Sequence, residues 1–171
     1  MLFLLTPDGD YFEANDNLDG DLEVTQRPGP AYEWTDTGWS LNREKQDVED
    51  QAALEVARAS TQARLSSAYA TACNQSVIYT TAEGVTAIFQ ATPASVNNLR
   101  SNISGWASGA VPTGFYWISE DNSHVPFAYT DLQGLLSVIQ DQAWAAFQVF
   151  QSKKDLVRKA TTQAQVVSVS W

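Results

Sequence analysis

From Arg43 to about Ala72 the chain contains neither glycine nor proline and is dominated by Ala, Glu, Gln, Arg and Lys. That composition has high intrinsic helix propensity and nothing to interrupt it, so one long helix is expected. Val48, Ala52, Val56, Ala59 and Ala63 recur at spacings of four and three, a narrow stripe of mostly small side chains. Glu49, Glu55, Arg58 and Arg64 lie away from that stripe. Small residues let another helix approach closely but bury little area, on the order of 1 kcal/mol or less per alanine. The expectation is a helix that is marginal alone and rests on a partner surface.

The segments on either side read as β-hairpins and shorter helices. Before the helix, Leu2 to Leu5 and Tyr11 to Ala14 flank Pro7-Asp8-Gly9, and Leu22 to Thr25 is a third strand candidate. Pro28-Gly29-Pro30 breaks regular structure, and Thr35-Asp36-Thr37 joins two aromatic arms, Tyr32-Glu33-Trp34 and Gly38-Trp39-Ser40-Leu41. After the helix, Ser76 to Thr81 and Val85 to Ala91 form a hairpin. Thr92-Pro93 then offers an N-cap and a first-turn proline for a helix to about Ile103. Phe115 to Ser119 and Val125 to Tyr129 enclose a further turn. Thr130 with Gln133 reads as the capping box of a last long helix, whose apolar face comprises Leu132, Leu135, Leu136, Ile139, Ala143, Phe147, Phe150 and Val157. Lys153, Lys154, Arg158 and Lys159 complement the dipole at its end. The tail from Gln165 to Trp171 alternates Val166/Val167, Val169 and Trp171, which suggests a short closing strand. The fold class is therefore α+β, with an N-terminal β unit over 1–42, a connecting helix over 43–75 and a C-terminal α+β domain over 76–171.

Composition narrows the chemistry. One cysteine, Cys73, and one histidine, His124, supply neither a disulfide nor a four-ligand zinc site. A net charge of −10 repels nucleic-acid phosphates and anionic membrane surfaces. The opening Met-Leu-Phe-Leu-Leu lacks a basic n-region and is cut short by Thr6-Pro7, so it reads as a strand, and synthesis in a cytoplasm is expected. His124 after Glu120-Asp121-Asn122 reads as an exposed strand-start residue, and Cys73, with no base beside it, as a half-buried structural thiol. No catalytic residue and no cofactor are assigned. The run Asn15 to Asp21 places oxygen side chains at alternate positions, but Gln26 stands where a calcium loop needs glutamate, which favours a solvated acidic loop. Among six tryptophans, Trp106, Trp117 and Trp144 are expected in the core. Trp34 and Trp39, with Tyr32, are as well placed to meet a partner protein or a sugar as to fill the small β unit.

Several short pieces together resemble bacteriophage tail proteins. The Thr6-Pro7-Asp8-Gly9 hairpin, the Pro28-Gly29-Pro30 break and the run Tyr32 to Trp39 resemble the start of tail fibre assembly proteins. From Arg64 onward the segments Ser76 to Tyr79, Phe89 to Thr92, Ser95 to Leu99, Trp117 to Asn122, Thr130 to Leu132 and Lys153 to Thr161 resemble an uncharacterised domain of phage tail and baseplate gene clusters. The resemblance implies a non-enzymatic component of the virion tail, made in the host bacterium's cytoplasm. It would act as a fibre-to-baseplate adaptor or a fibre assembly chaperone, binding other tail proteins and forming a homo-oligomer. The expected contact residues are Tyr32, Trp34, Trp39, Val48, Ala52, Val56, Ala59 and Ala63. A glycan-binding tail module using Tyr32, Trp34 and Trp39 is the alternative.

Overall fold

The computed structural model describes residues 1–14, 21–106 and 108–171. The α+β class is as expected: strands and hairpins precede a long helix, and hairpins then alternate with helices. The chain condenses into two compact units, Met1–Val56 and Ala57–Trp171, so the division falls within the long helix. Asn15 to Gly20, which hold most of the oxygen-rich run, lie outside the described residues.

In the first unit, β1 (Leu2–Leu5) pairs antiparallel with β2 (Tyr11–Ala14) and, on its other edge, with β3 (Leu22–Val24). The β1–β2 turn closes through Gly9 N–H to Thr6 C=O at 2.9 Å and needs the left-handed φ of +89° that Gly9 supplies. β4 (Tyr32–Thr35) and β5 (Gly38–Leu41) form a separate hairpin in which Trp34 lies directly opposite Trp39. Among the described residues, Leu4, Leu5, Val24 and Ala31 are this unit's buried apolar residues along with Leu54.

Helix α1 (Arg43–Asn74) begins where Asn42 Oδ1 accepts the Lys45 amide at 3.1 Å, satisfying one of the unpaired donors of the first turn. At its other end, Gln142 Nε2 donates to the carbonyls of Ala72 (3.2 Å) and Gln75 (2.7 Å), which closes the helix with a side chain from the second unit's own long helix.

The second unit contains two hairpin-helix pairs. β6 (Val77–Thr80) and β7 (Thr86–Phe89) lead into α2 (Pro93–Gly105), capped by Thr92 as its sequence predicts. β8 (Tyr116–Ile118) and β9 (His124–Pro126) lead into α3 (Tyr129–Lys159). The two hairpins are joined by Glu120 N–H to Ile88 C=O at 2.8 Å. Val77, Phe89, Ala91, Leu99, Val125, Phe127, Leu132, Leu135 and Ile139 form one apolar core, with Trp106 and Trp117 packed against it. Burying an aliphatic or aromatic side chain contributes about 1.5–3 kcal/mol, so this cluster dominates the unit's stability.

Three expectations are corrected. α3 is not started by Thr130 and Gln133: Asp131 Oδ2 accepts the Ala128 amide at 2.8 Å, so a carboxylate at the third helical position closes the turn. The tail is not a strand but α4 (Gln163–Ser168), because Thr162 accepts the Gln165 amide while Gln165 Oε1 accepts from Thr162 N–H. Trp144 is not in the core. It is 60% exposed, stacked on Phe147 on the outer side of α3.

Candidate functional site

α1 has two longitudinal faces of different character. Leu54, Ala57, Thr61 and Leu65 recur at spacings of three and four and are buried, while Val48, Ala52, Val56, Ala59 and Ala63 lie on the opposite side and are all exposed. Val48 is 66% and Val56 70% accessible. The competition between the rows is decided by size: a leucine removes far more apolar area from water than an alanine, so the row holding Leu54 and Leu65 turns inward.

Within the second unit, residues beside the inward row meet α3 and the chain's end. Tyr69 stacks on Phe150 with ring centroids 4.9 Å apart and lies 6.5 Å from Trp171. Arg58 donates to Ala160 C=O at 2.8 Å, and Arg64 donates to Val169 C=O at 2.6 Å. These bonds run from the helix flank to the residue that follows α3 and to the segment after α4. They leave the side carrying Ala59 and Ala63 open.

The aromatic hairpin is built differently. Trp34 and Trp39 meet edge to face at 5.3 Å, and Tyr11 approaches Trp39 in the same way at 5.4 Å. Trp39 Nε1 donates to Thr25 C=O at 2.7 Å, and the Arg27 guanidinium lies 5.9 Å from the Trp39 ring centre. Arg27 also donates to the carbonyls of Tyr32 and Pro30. A cleft of about 790 Å³ opens here, lined by Thr6, Asp10, Tyr11, Arg27, Glu33 and Lys45 beside the two indoles. Two of its charges are paired: Lys45 Nζ sits 2.6 Å from Glu33 Oε1 and, with the Asn42 amide, holds that carboxyl below its usual range. Tyr32 is half-buried. Trp39 thus spends its N–H and much of its ring on the unit's own interior.

The remaining chemical candidates are isolated. His124 is the first residue of β9, exposed and stacked on Tyr116 at 4.0 Å. Cys73 is half-buried beside Tyr69, whose phenol it holds above its usual pKa through a side-chain hydrogen bond. Among the described residues no group of three or more His, Cys, Asp or Glu side chains is placed to hold a metal ion. No described helix is long and apolar enough to cross a membrane.

The buried carboxylate of the second unit is Asp131, 2% exposed. Its Oδ1 accepts the Tyr79 hydroxyl (3.2 Å) and the Ala82 amide (2.8 Å), while Oδ2 accepts the Ala128 amide. Such a charge is tolerable only because its lone pairs are met. Asp131 is thus a structural clasp between the β6–β7 turn and the start of α3.

A family described as a domain of unknown function, DUF4376, matches residues 56–169. The chain belongs to the DUF4376 family. The DUF4376 match begins at the last residue of the first compact unit and runs to within two residues of the chain's end, so it coincides with the second unit. No curated protein and no solved structure matches the chain.

Sequence reasoning missed the stacked Trp144–Phe147 pair, 60% and 37% exposed. The signal was available. Counting in 3.6-residue turns from the buried Leu135, Ile139, Ala146 and Val157 puts Trp144 on the far side of α3.

Proposed function

We propose that this DUF4376 chain is a non-enzymatic bacteriophage tail protein that binds other tail proteins, as a fibre-to-baseplate adaptor or a fibre assembly chaperone. The observation that supports protein binding best is the exposed side of α1. A helix that already packs through Leu54, Ala57, Thr61 and Leu65 keeps Val48 and Val56 about two-thirds in water, along a row otherwise of alanine. Small side chains there let a second helix approach closely, which suits contact with another copy or with a helical partner. The tail assignment rests on the resemblance of the segments from Thr6 to Trp39 and from Ser76 to Thr161.

Mass spectrometry of purified virions tests the assignment. Recovery in stoichiometric amount identifies a structural adaptor, and absence from virions with recovery in complex with the fibre protein from infected cells identifies an assembly chaperone. Absence from both refutes a tail role.

A further inference from the structure

The second unit carries a cleft that none of these contacts uses. It has a volume of about 630 Å³, within the range of roughly 300–1,000 Å³ typical of small-molecule sites. Gln90, Asn98, Thr113, Tyr116, Trp117 and Asn122 line it, and no described lining residue is charged. In a chain with 30 acidic and basic residues whose net charge is −10, that absence selects the ligand. A charged ligand would find no counter-ion here, and an anion would also meet the field of the whole protein.

The lining groups are of two kinds. Trp117 forms a fixed wall, since it packs toward the core against Phe115 and Phe127 at 6.4 Å each. Tyr116 is 45% exposed and is held by its stack on His124. Large rings of this kind present apolar faces that can cover the C–H face of a pyranose. Around them, among the described residues, the side-chain amides of Gln90, Asn98 and Asn122 and the Thr113 hydroxyl make no hydrogen bond to protein. Each amide offers a donor and an acceptor side by side, the complement of vicinal hydroxyls that each donate and accept. Asn122 is fixed in the left-handed region, φ +64°, at the tip of the β8–β9 turn.

We propose that this cleft binds a short neutral oligosaccharide. The site is distinct from Trp34 and Trp39, and the proposal is independent of the tail assignment.

The test is saturation-transfer NMR on the full chain. The probes are neutral di- to tetrasaccharides of glucose, galactose, mannose and N-acetylhexosamines, with sialylated and sulfated counterparts and uncharged peptides as controls. A neutral saccharide should bind. Asn98→Ala should weaken it roughly two- to tenfold, the loss of one hydrogen bond, with an unchanged thermal melt because Asn98 is exposed on α2. Tyr116→Ala should weaken it further, and Trp34→Ala should leave it unchanged. Silence across the neutral panel, binding of charged saccharides or of peptides alone, or binding lost in Trp34→Ala but kept in Asn98→Ala would overturn the proposal.

Discussion

Gly134 sits in the second turn of α3, where replacing glycine by alanine ordinarily stabilises a helix by about 1 kcal/mol. Here the prediction has the opposite sign. A Cβ built on Gly134 would fall 2.9 Å from Cζ and 3.0 Å from Cε2 of Tyr79, and closer still to its hydroxyl. The ring cannot yield freely, because its hydroxyl donates to Asp131 and its body packs among Phe89 and Phe127. Displacing Tyr79 costs a hydrogen bond to a charged group, at the low end of about 1.5–3 kcal/mol for a partner at 3.2 Å. Overpacking adds about 1–3 kcal/mol. Set against the helix-propensity gain, Gly134→Ala should destabilise the second unit by about 1.5–3.5 kcal/mol. Urea unfolding followed by far-ultraviolet circular dichroism measures it, with the same substitution repeated in a Tyr79→Ala background. Without the ring the clash is gone, and Gly134→Ala should then stabilise by up to about 1 kcal/mol. A neutral or stabilising effect in the native background would refute the steric argument.

Other expectations follow from the same structure. Burial first and the nearby Asp131 charge second hold the Tyr79 phenol above its usual pKa of 10.0. The folded state therefore disfavours the phenolate: the stability linked to Tyr79 is complete below pH 10, and is lost as pH rises through the raised value. Alkaline unfolding of Tyr79→Phe should show a shallower fall above pH 10 than the native chain, with Tyr69, which is raised as well, contributing to the slope that remains. Asn42→Ala removes the acceptor for the Lys45 amide and should cost about 1 kcal/mol by thermal denaturation. Arg64→Ala frees the Val169 carbonyl, so hydrogen exchange should accelerate over 163–171 while global stability changes by less than about 1.5 kcal/mol.

The elements were legible where local chemistry is decisive. Thr92-Pro93 marks α2 because a hydroxyl acceptor and a residue without N–H both suit a helix start. Gly9 marks its hairpin because few other residues tolerate a φ of +89°. α1 was legible in extent and in its open face, but not in the row that packs inward. It carries two rows at helical spacing; the open row of Val48, Ala52, Val56, Ala59 and Ala63 is marked by its spacing, while the row of Leu54, Ala57, Thr61 and Leu65 turns inward by its larger side chains. The tail differs from its expected strand because Thr162 and Gln165 satisfy each other's backbone N–H groups, and this helix start outweighs the valine alternation. Of the candidate contacts, the exposed row on α1 follows from spacing. The cleft at Trp117 does not, because it joins α2 to the turn before β8 and the β8–β9 hairpin, segments that meet only after the core has formed.

Light scattering coupled to size exclusion, on the full chain alone and mixed with the tail fibre protein of the proposed function, tests protein binding through α1 most directly. The native chain should elute as an oligomer or with the fibre protein, and Ala59→Glu, an exposed substitution on the open row, should abolish that association while keeping the native melting temperature. A monomer that ignores the fibre protein, or an association untouched by Ala59→Glu, would contradict it.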